Sequence, residues 1–222
     1  MRALAIDPQH PRTIYVADCG GACAAGTLQM TYDGGANWTP IVGIPSAVQS
    51  LAIDPQHSDT VFAGTTRGDI FRSRNGGVSG LSWQRVARPP TLPRSHQYAI
   101  VAIAIDPRDP DNVYAARRTG GIIKSTDGGT SWYQANTGLT DKHVNTLAID
   151  PHNPHVLYAS TGYPWTSTPA RVFRSTDGAH TWQPLSAGLP AVGVGAIAVG
   201  PSGRAVFAAT NGNGVIKLRQ DG

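Results

Sequence analysis

Short apolar runs with alternating polar positions recur along the whole chain, and turn-forming residues separate them. Alternation of this kind places successive side chains on opposite faces of a strand. No window of eleven residues carries the 3.6-residue spacing of an amphipathic helix, so the pattern predicts an all-β chain. One run recurs almost unchanged as Ile6-Asp7-Pro8, Ile53-Asp54-Pro55, Ile105-Asp106-Pro107 and Ile149-Asp150-Pro151, with Val199-Gly200-Pro201 as a variant. The intervals are 47, 52, 44 and 50 residues, the length of a four-stranded propeller blade.

Within each interval the order is constant. An alanine-containing strand ends in Asp-Pro (Leu147-Ala148-Ile149), and a polar turn follows. The second strand carries an aromatic: Tyr15, Phe62, Tyr114, Tyr158 or Phe207. A third strand leads into a turn that the chain writes four times, and a fourth strand begins at its tryptophan. The full copies are Thr31-Tyr32-Asp33-Gly34-Gly35-Ala36-Asn37-Trp38, Ser125-Thr126-Asp127-Gly128-Gly129-Thr130-Ser131-Trp132 and Ser175-Thr176-Asp177-Gly178-Ala179-His180-Thr181-Trp182. The degraded copy is Ser73-Arg74-Asn75-Gly76-Gly77, with Trp83 after an insertion. Glycine after aspartate supplies the positive φ of a tight hairpin turn. The carboxylate accepts backbone N–H groups, and the tryptophan brings apolar area to the packing face. Asp33, Asn75, Asp127, Asp177, Trp38, Trp83, Trp132 and Trp182 are therefore read as structural.

These repeats predict one β-propeller domain over residues 1–222, with four-stranded antiparallel blades at about 1–46, 47–97, 98–142 and 143–192. A fifth, at 193–222, lacks its outer strand. Small residues in each first strand suit the crowded centre of a propeller. A five-repeat domain and a fragment of a larger, seven-bladed propeller both fit this count. An unpaired outer edge would favour association of two copies.

Composition narrows the chemistry. The formal charge of +4 comes from fifteen Arg and three Lys against fourteen Asp. No basic run interleaves with aromatics, which argues against nucleic acid as a partner. No apolar run is long enough to span a bilayer, and the chain starts directly on strand-like residues, with no leader-like segment. Cys19 and Cys23 lie four apart in a glycine-rich loop; they could close a small disulfide or remain thiols. Two cysteines do not make a zinc site, so no metal or cofactor is expected. Glutamate is absent, and carboxylate chemistry must come from aspartate. Asp-Pro turns take four of the fourteen and the hairpin turns three; Asp59, Asp109 and Asp111 fall in the turns between first and second strands and Asp221 in the tail, which leaves Asp18, Asp69 and Asp141 near the remaining loops.

The Ser/Thr-x-Asp-Gly-Gly-x-x-Trp turn resembles the Asp-box, or BNR repeat, of sialidases, sortilin-type receptors, xyloglucan-active endoglucanases and Ycf48-type assembly factors. The coupled pattern of Ile-Asp-Pro, Tyr-Ala and Gly-Gly-Ile-Ile-Lys-Ser-Thr-Asp-Gly-Gly is most similar to the last two groups. The resemblance covers nearly the whole chain. It implies the propeller fold and an extracytoplasmic setting, and it leaves function open, because the turn is structural in enzymes and non-enzymes alike. Asp18-Cys19-Gly20-Gly21 resembles the first-blade Asp-x-Gly-Gly of xyloglucan-active enzymes, which implies a catalytic role for Asp18; a paired mechanism would take its second carboxylate from Asp141 or Asp69. The sialidase resemblance implies an anion-binding group from Arg67, Arg117, Arg118, Tyr98 and Asp18.

Connections between the first and second strands and between the third and fourth share one face of an up-and-down blade. The other face is built from variable loops, where function concentrates. The expected ligand-binding residues there are Arg67, Arg117, Arg118, Tyr98, Tyr163 and Trp165, and His96 and His143 read as surface residues. The expected function is a non-catalytic scaffold presenting these loops to a protein or carbohydrate. The alternative is a glycoside hydrolase of xyloglucanase or sialidase type, or a fragment of one.

Overall fold

A computed structural model of the 222-residue chain describes residues 2–18, 26–78, 82–87, 98–162, 171–185 and 193–218. The described residues form strands and turns, with no α-helix. The first sheet contains β1 (Ala3–Ile6), β2 (Ile14–Asp18), β3 (Thr27–Thr31) and β4 (Thr39–Ile41), hydrogen-bonded in chain order. The same order recurs in β5 (Val48–Ile53), β6 (Val61–Thr65), β7 (Ile70–Ser73) and β8 (Gln84–Ala87). It recurs again in β9 (Ile100–Ile105), β10 (Val113–Arg117), β11 (Gly121–Ser125) and β12 (Tyr133–Gln134). A fourth sheet holds β13 (Val144–Ile149), β14 (Leu157–Thr161), β15 (Arg171–Ser175) and β16 (Gln183–Leu185). The last has three strands: β17 (Val194–Val199), β18 (Val206–Thr210) and β19 (Gly214–Leu218). This is the all-β propeller architecture expected from the repeat, with its fifth sheet one strand short.

The chain divides into two compact units, Met1–Val113 with Ser125–Trp132, and Tyr114–Lys124 with Tyr133–Gly222. In the first, β1 lies beside β5 and β5 beside β9; in the second, β13 lies beside β17. Small residues in these first strands permit that approach. Ser50 Oγ donates to the Ile100 carbonyl at 2.8 Å, and Ser160 Oγ to the Val194 carbonyl at 3.0 Å. The first unit's core gathers Tyr15, Leu28, Met30, Val48, Val61, Phe71 and Trp83. The second unit's gathers Tyr158, Val172, Val194, Ile197, Val206 and Leu218. All of these but Trp83, which precedes β8, lie on strands, and the inner strands β6, β7 and β14 are buried at every position, so both faces of their pleat bury apolar area.

Two turns are built the same way each time. At the Asp-Pro turns, one carboxylate oxygen accepts the N–H groups two and three residues on: Gln9 and His10 on Asp7, Gln56 and His57 on Asp54, Arg108 and Asp109 on Asp106, and His152 and Asn153 on Asp150. At the second turn, Ser125 Oγ accepts the Asp127 and Gly129 N–H groups and donates to Asp127 Oδ1 at 2.8 Å. Asp127 then accepts the Ser131 N–H at 2.8 Å and the Ser131 hydroxyl at 2.6 Å. Thr31 with Asp33 and Asn37, and Ser175 with Asp177 and Thr181, repeat this network. Ser73 with Asn75 keeps only the hydroxyl half. The residue at the Gly129 position sits at positive φ in all four copies: Gly35, Gly77, Gly129 and Ala179, the last at 66°. Gly77 is obligatory for a second reason, since a Cβ there would lie 2.6 Å from the Trp83 ring.

The tryptophans diverge. Trp182 and Trp83 are buried, whereas Trp38 is 39% exposed and Trp132 half-buried. The expectation that all four carry area onto a packing face holds for two. Trp38 and Trp132 fold back instead, each donating its indole N–H to the turn's own carbonyl, Gly35 and Gly129, at 3.0 Å. Trp182 donates to the Ala135 carbonyl at 2.9 Å, and its backbone N–H donates to Thr137. Trp182→Ala should therefore lower unfolding free energy by about 3–5 kcal/mol, and Trp38→Ala by less than about 1 kcal/mol. Urea denaturation of the two variants compares them directly.

Donors at the turn hold the carboxylates low. For Asp127, the Ser131 hydroxyl and N–H and the Ser125 hydroxyl bring the pKa from 3.8 to about 2. For Asp177, burial opposes and the Thr181 and Ser175 donors prevail, again giving about 2. Asp33 lies lower still, through the Thr31 hydroxyl and the Asn37 donors. A depressed native pKa contributes stability above the unfolded value and loses it as pH falls through the native one. The urea midpoint should thus hold above pH 4 and drop between about pH 4 and 2. A chain carrying Asp33→Asn, Asp127→Asn and Asp177→Asn should show a flatter profile over that window. Equal slopes in parent and triple variant would refute the assignment.

Candidate functional site

The variable-loop residues proposed for ligand contact separate by burial. Arg67 is exposed at the β6–β7 turn, beside Gly68, over which the half-buried Tyr98 packs: a Cβ on Gly68 would stand 3.2 Å from Tyr98 Cβ. Arg117, at the end of β10, is 3% exposed and donates Nη2 to the Gly120 carbonyl at 2.5 Å. Burial lowers the pKa of its guanidinium. Arg117 thus braces its own loop, while Arg118 beside it is half-buried. Tyr163 and Trp165 lie outside the described residues, as do Cys19, Cys23 and His96.

The carboxylates separate in the same way. Asp18 ends β2 and is exposed. Asp69 is buried, with Arg85 Nη1 at 3.9 Å from Oδ1. Asp141 Oδ1 accepts both the His143 N–H, at 2.9 Å, and its Nδ1, at 2.8 Å. That hydrogen bonding makes Asp141 the cap of a loop. Among the described residues, no group of three or more His, Cys or Asp side chains is arranged to hold a metal ion.

A cavity of about 560 Å³ opens on the opposite face, where the Asp-Pro turns and the Ser/Thr-x-Asp turns of the first two sheets meet. Its polar lining includes Asp7, His10, Arg12, Tyr15, Tyr32 and Asp59. Asp7 is saturated: Oδ1 accepts Ser58 Oγ at 2.6 Å as well as two N–H groups, and Oδ2 lies 3.1 Å from His10 Nδ1. Burial works against its charge, but these donors prevail and its pKa is lowered. Tyr15 is buried and donates its hydroxyl to the Gly76 carbonyl at 3.0 Å. Arg12 Nη2 donates to the Asp33 carbonyl at 3.2 Å. Tyr32 is 58% exposed. Burial raises the Tyr32 and Tyr15 hydroxyl pKa values, with the nearby Asp59 charge adding to both.

Sequence reading passed over this cavity because its residues belong to the turns assigned to scaffold. One signal was available: Asp59 stands three residues before the second-strand aromatic, on the turn face, and no turn N–H depends on its carboxylate.

No sequence-family profile and no characterised protein sequence matches the chain. Solved structures do resemble it in fold. An ancestral GH74 enzyme superposes with a TM-score of 0.71 at 22% identity, over 99% of this chain and 28% of that one. YCF48 from Cyanidioschyzon merolae gives 0.66 at 16% identity, over 97% and 65% of the two chains. A chain of the COPII outer-coat vertex on membranes gives 0.74 at 13%, over 97% and 57%. The chain spans 28–44% of the length of the GH74 enzymes it resembles. The neighbours are β-propeller proteins, and at these identities the likeness is one of fold.

Proposed function

We propose that the chain is a non-catalytic β-propeller scaffold of the Asp-box type, presenting its surface to a protein or glycan partner. The observation that carries this reading is the engagement of its carboxylates. Asp7, Asp54, Asp106 and Asp150 accept the N–H groups of their turns. Asp33, Asp127 and Asp177 do the same in the hairpin turns, and Asp141 caps the loop at His143. Glycosidic cleavage needs two carboxyl groups flanking the bond, one of them able to give up a proton near neutral pH. Carboxylates held at about pKa 2 or lower by donors on both oxygens are poor acids and poor bases.

Partner contact in this reading uses exposed residues of the variable loops, Arg67 among them, and the cavity at Asp59. Association of two copies along β19, where Val215 is 69% exposed, belongs to the same proposal. The glycoside hydrolase alternative draws its support from the exposed Asp18 and the fold likeness to GH74 enzymes.

Reducing-end release from xyloglucan, and sialic acid release from sialosides, should both stay at the uncatalysed level for the parent chain. Activity in the parent that disappears in Asp18→Ala or Asp141→Ala would replace the scaffold by the hydrolase.

A further inference from the structure

Three junctions between successive sheets are variations on one arrangement. Each brings together the second-strand aromatic and the penultimate third-strand residue of one sheet. From the next sheet come the residue three before its own aromatic and the first glycine of its hairpin turn. At the third junction these are Tyr114, Lys124, His155 and Gly178. Lys124 Nζ donates to the Gly178 carbonyl at 3.1 Å and lies 5.2 Å from the centre of the Tyr114 ring. A Cβ on Gly178 would meet Lys124 Nζ, the Tyr114 hydroxyl and His155 Nδ1, all within 3.7 Å.

At the second junction the set is Phe62, Arg72, Asp111 and Gly128. Arg72 Nη1 donates to the Gly128 carbonyl. Asp111 Oδ1 and Arg72 Nη1 would stand 3.1 and 3.7 Å from a Cβ on Gly128. A cation thus fills both junctions and donates to a glycine carbonyl, at the third over an aromatic face and at the second with a carboxylate at hand.

The first junction has Tyr15, Met30, Asp59 and Gly76. Met30 pairs across the ladder with Tyr15, as Arg72 pairs with Phe62 and Arg174 with Tyr158. Methionine therefore stands where the other sheets place a cation, and it is buried in the core, outside the cavity lining. The cavity opens at this junction. Asp59 occupies the position of Asp111 and makes no hydrogen bond through its carboxylate among the described residues. Asp7 and Asp59 outweigh Arg12, so the cleft is formally negative in a chain of net charge +4. Arg12 is turned to the Asp33 carbonyl.

We propose that this cleft receives a lysine or arginine side chain of a partner polypeptide. The cation lies against Tyr15 and Tyr32, pairs with Asp59 and shares the Gly76 carbonyl with the Tyr15 hydroxyl. The proposal rests on the reading of the chain as a binding scaffold, and gives that scaffold a basic partner segment.

Hexalysine, hexaglutamate and cellotetraose are titrated into the full chain, with NMR shifts of Gly76 and Tyr32 as the readout. Hexalysine should shift both. Asp59→Asn, exposed and isosteric, should weaken the interaction about ten-fold, and the control Arg204→Ala, at an exposed residue outside the cleft lining, should leave it unchanged. Met30→Lys should rebuild the Lys124 arrangement from within. Its Tm should stay within about 4 °C of the parent, and hexalysine binding should be lost.

Absence of hexalysine binding, binding indifferent to Asp59→Asn, or preference for hexaglutamate or cellotetraose overturns the proposal. So does a Tm loss above about 10 °C in Met30→Lys, the result expected for an unpaired buried ammonium. Hydrolysis of xyloglucan by the parent would defeat the scaffold reading on separate grounds, whatever the hexalysine titration returns.

Discussion

A hydroxyl and a carboxylate two residues apart make each third-to-fourth-strand turn possible. Reversing a chain in so few residues strands several N–H groups that no ladder can satisfy. Ser125 and Asp127 accept them locally, and the same pair of side chains bonds to itself. The turn therefore carries its own hydrogen-bond partners and needs little from its surroundings. The Asp-Pro turns solve the same problem with one carboxylate and a proline that sets the backbone entering the turn. With both ends of each hairpin satisfied from within, the strands are free to vary wherever the core permits.

That self-sufficiency also explains why the most recognisable residues of the chain are the least available for chemistry. An aspartate whose oxygens accept three or four hydrogen bonds is pinned in its charged form and cannot reorient toward a ligand. Loss of the carboxylate at Asn75 is tolerated because Ser73 keeps the inner N–H groups satisfied. Conversely, Asp59 resembles its neighbours in type and differs from them in obligation, since no turn depends on it. Availability, and not residue identity, separates scaffold from candidate site here.

Repetition supplies the second organising constraint. Once one sheet's aromatic and cation address the next sheet's glycine carbonyl, each junction inherits the same geometry, and a substitution in one copy creates a local vacancy. Lysine at 124 and arginine at 72 close two junctions. Methionine at 30 turns inward to the core and leaves the first one open. Differences between copies are thus more informative than the shared motif.

The strand order, the two turn types and the short fifth sheet were legible in the sequence, because each depends on local pattern: alternation, Asp-Gly, Asp-Pro and the spacing between them. Burial was less legible. Trp38 and Trp182 occupy the same motif position, yet one is exposed and the other enclosed by the loop at Ala135 and Thr137, a distinction made by neighbours 45 or more residues away in sequence. Arg117 read as a loop cation and is folded onto Gly120. The cavity was invisible, because it arises from residues of four separate turns brought together by the packing of two sheets. Local pattern alone determined which segments become strands and how they reverse; only tertiary structure decided which side chains those segments leave unpaired, because hydrogen-bond satisfaction at a junction depends on partners from both sheets.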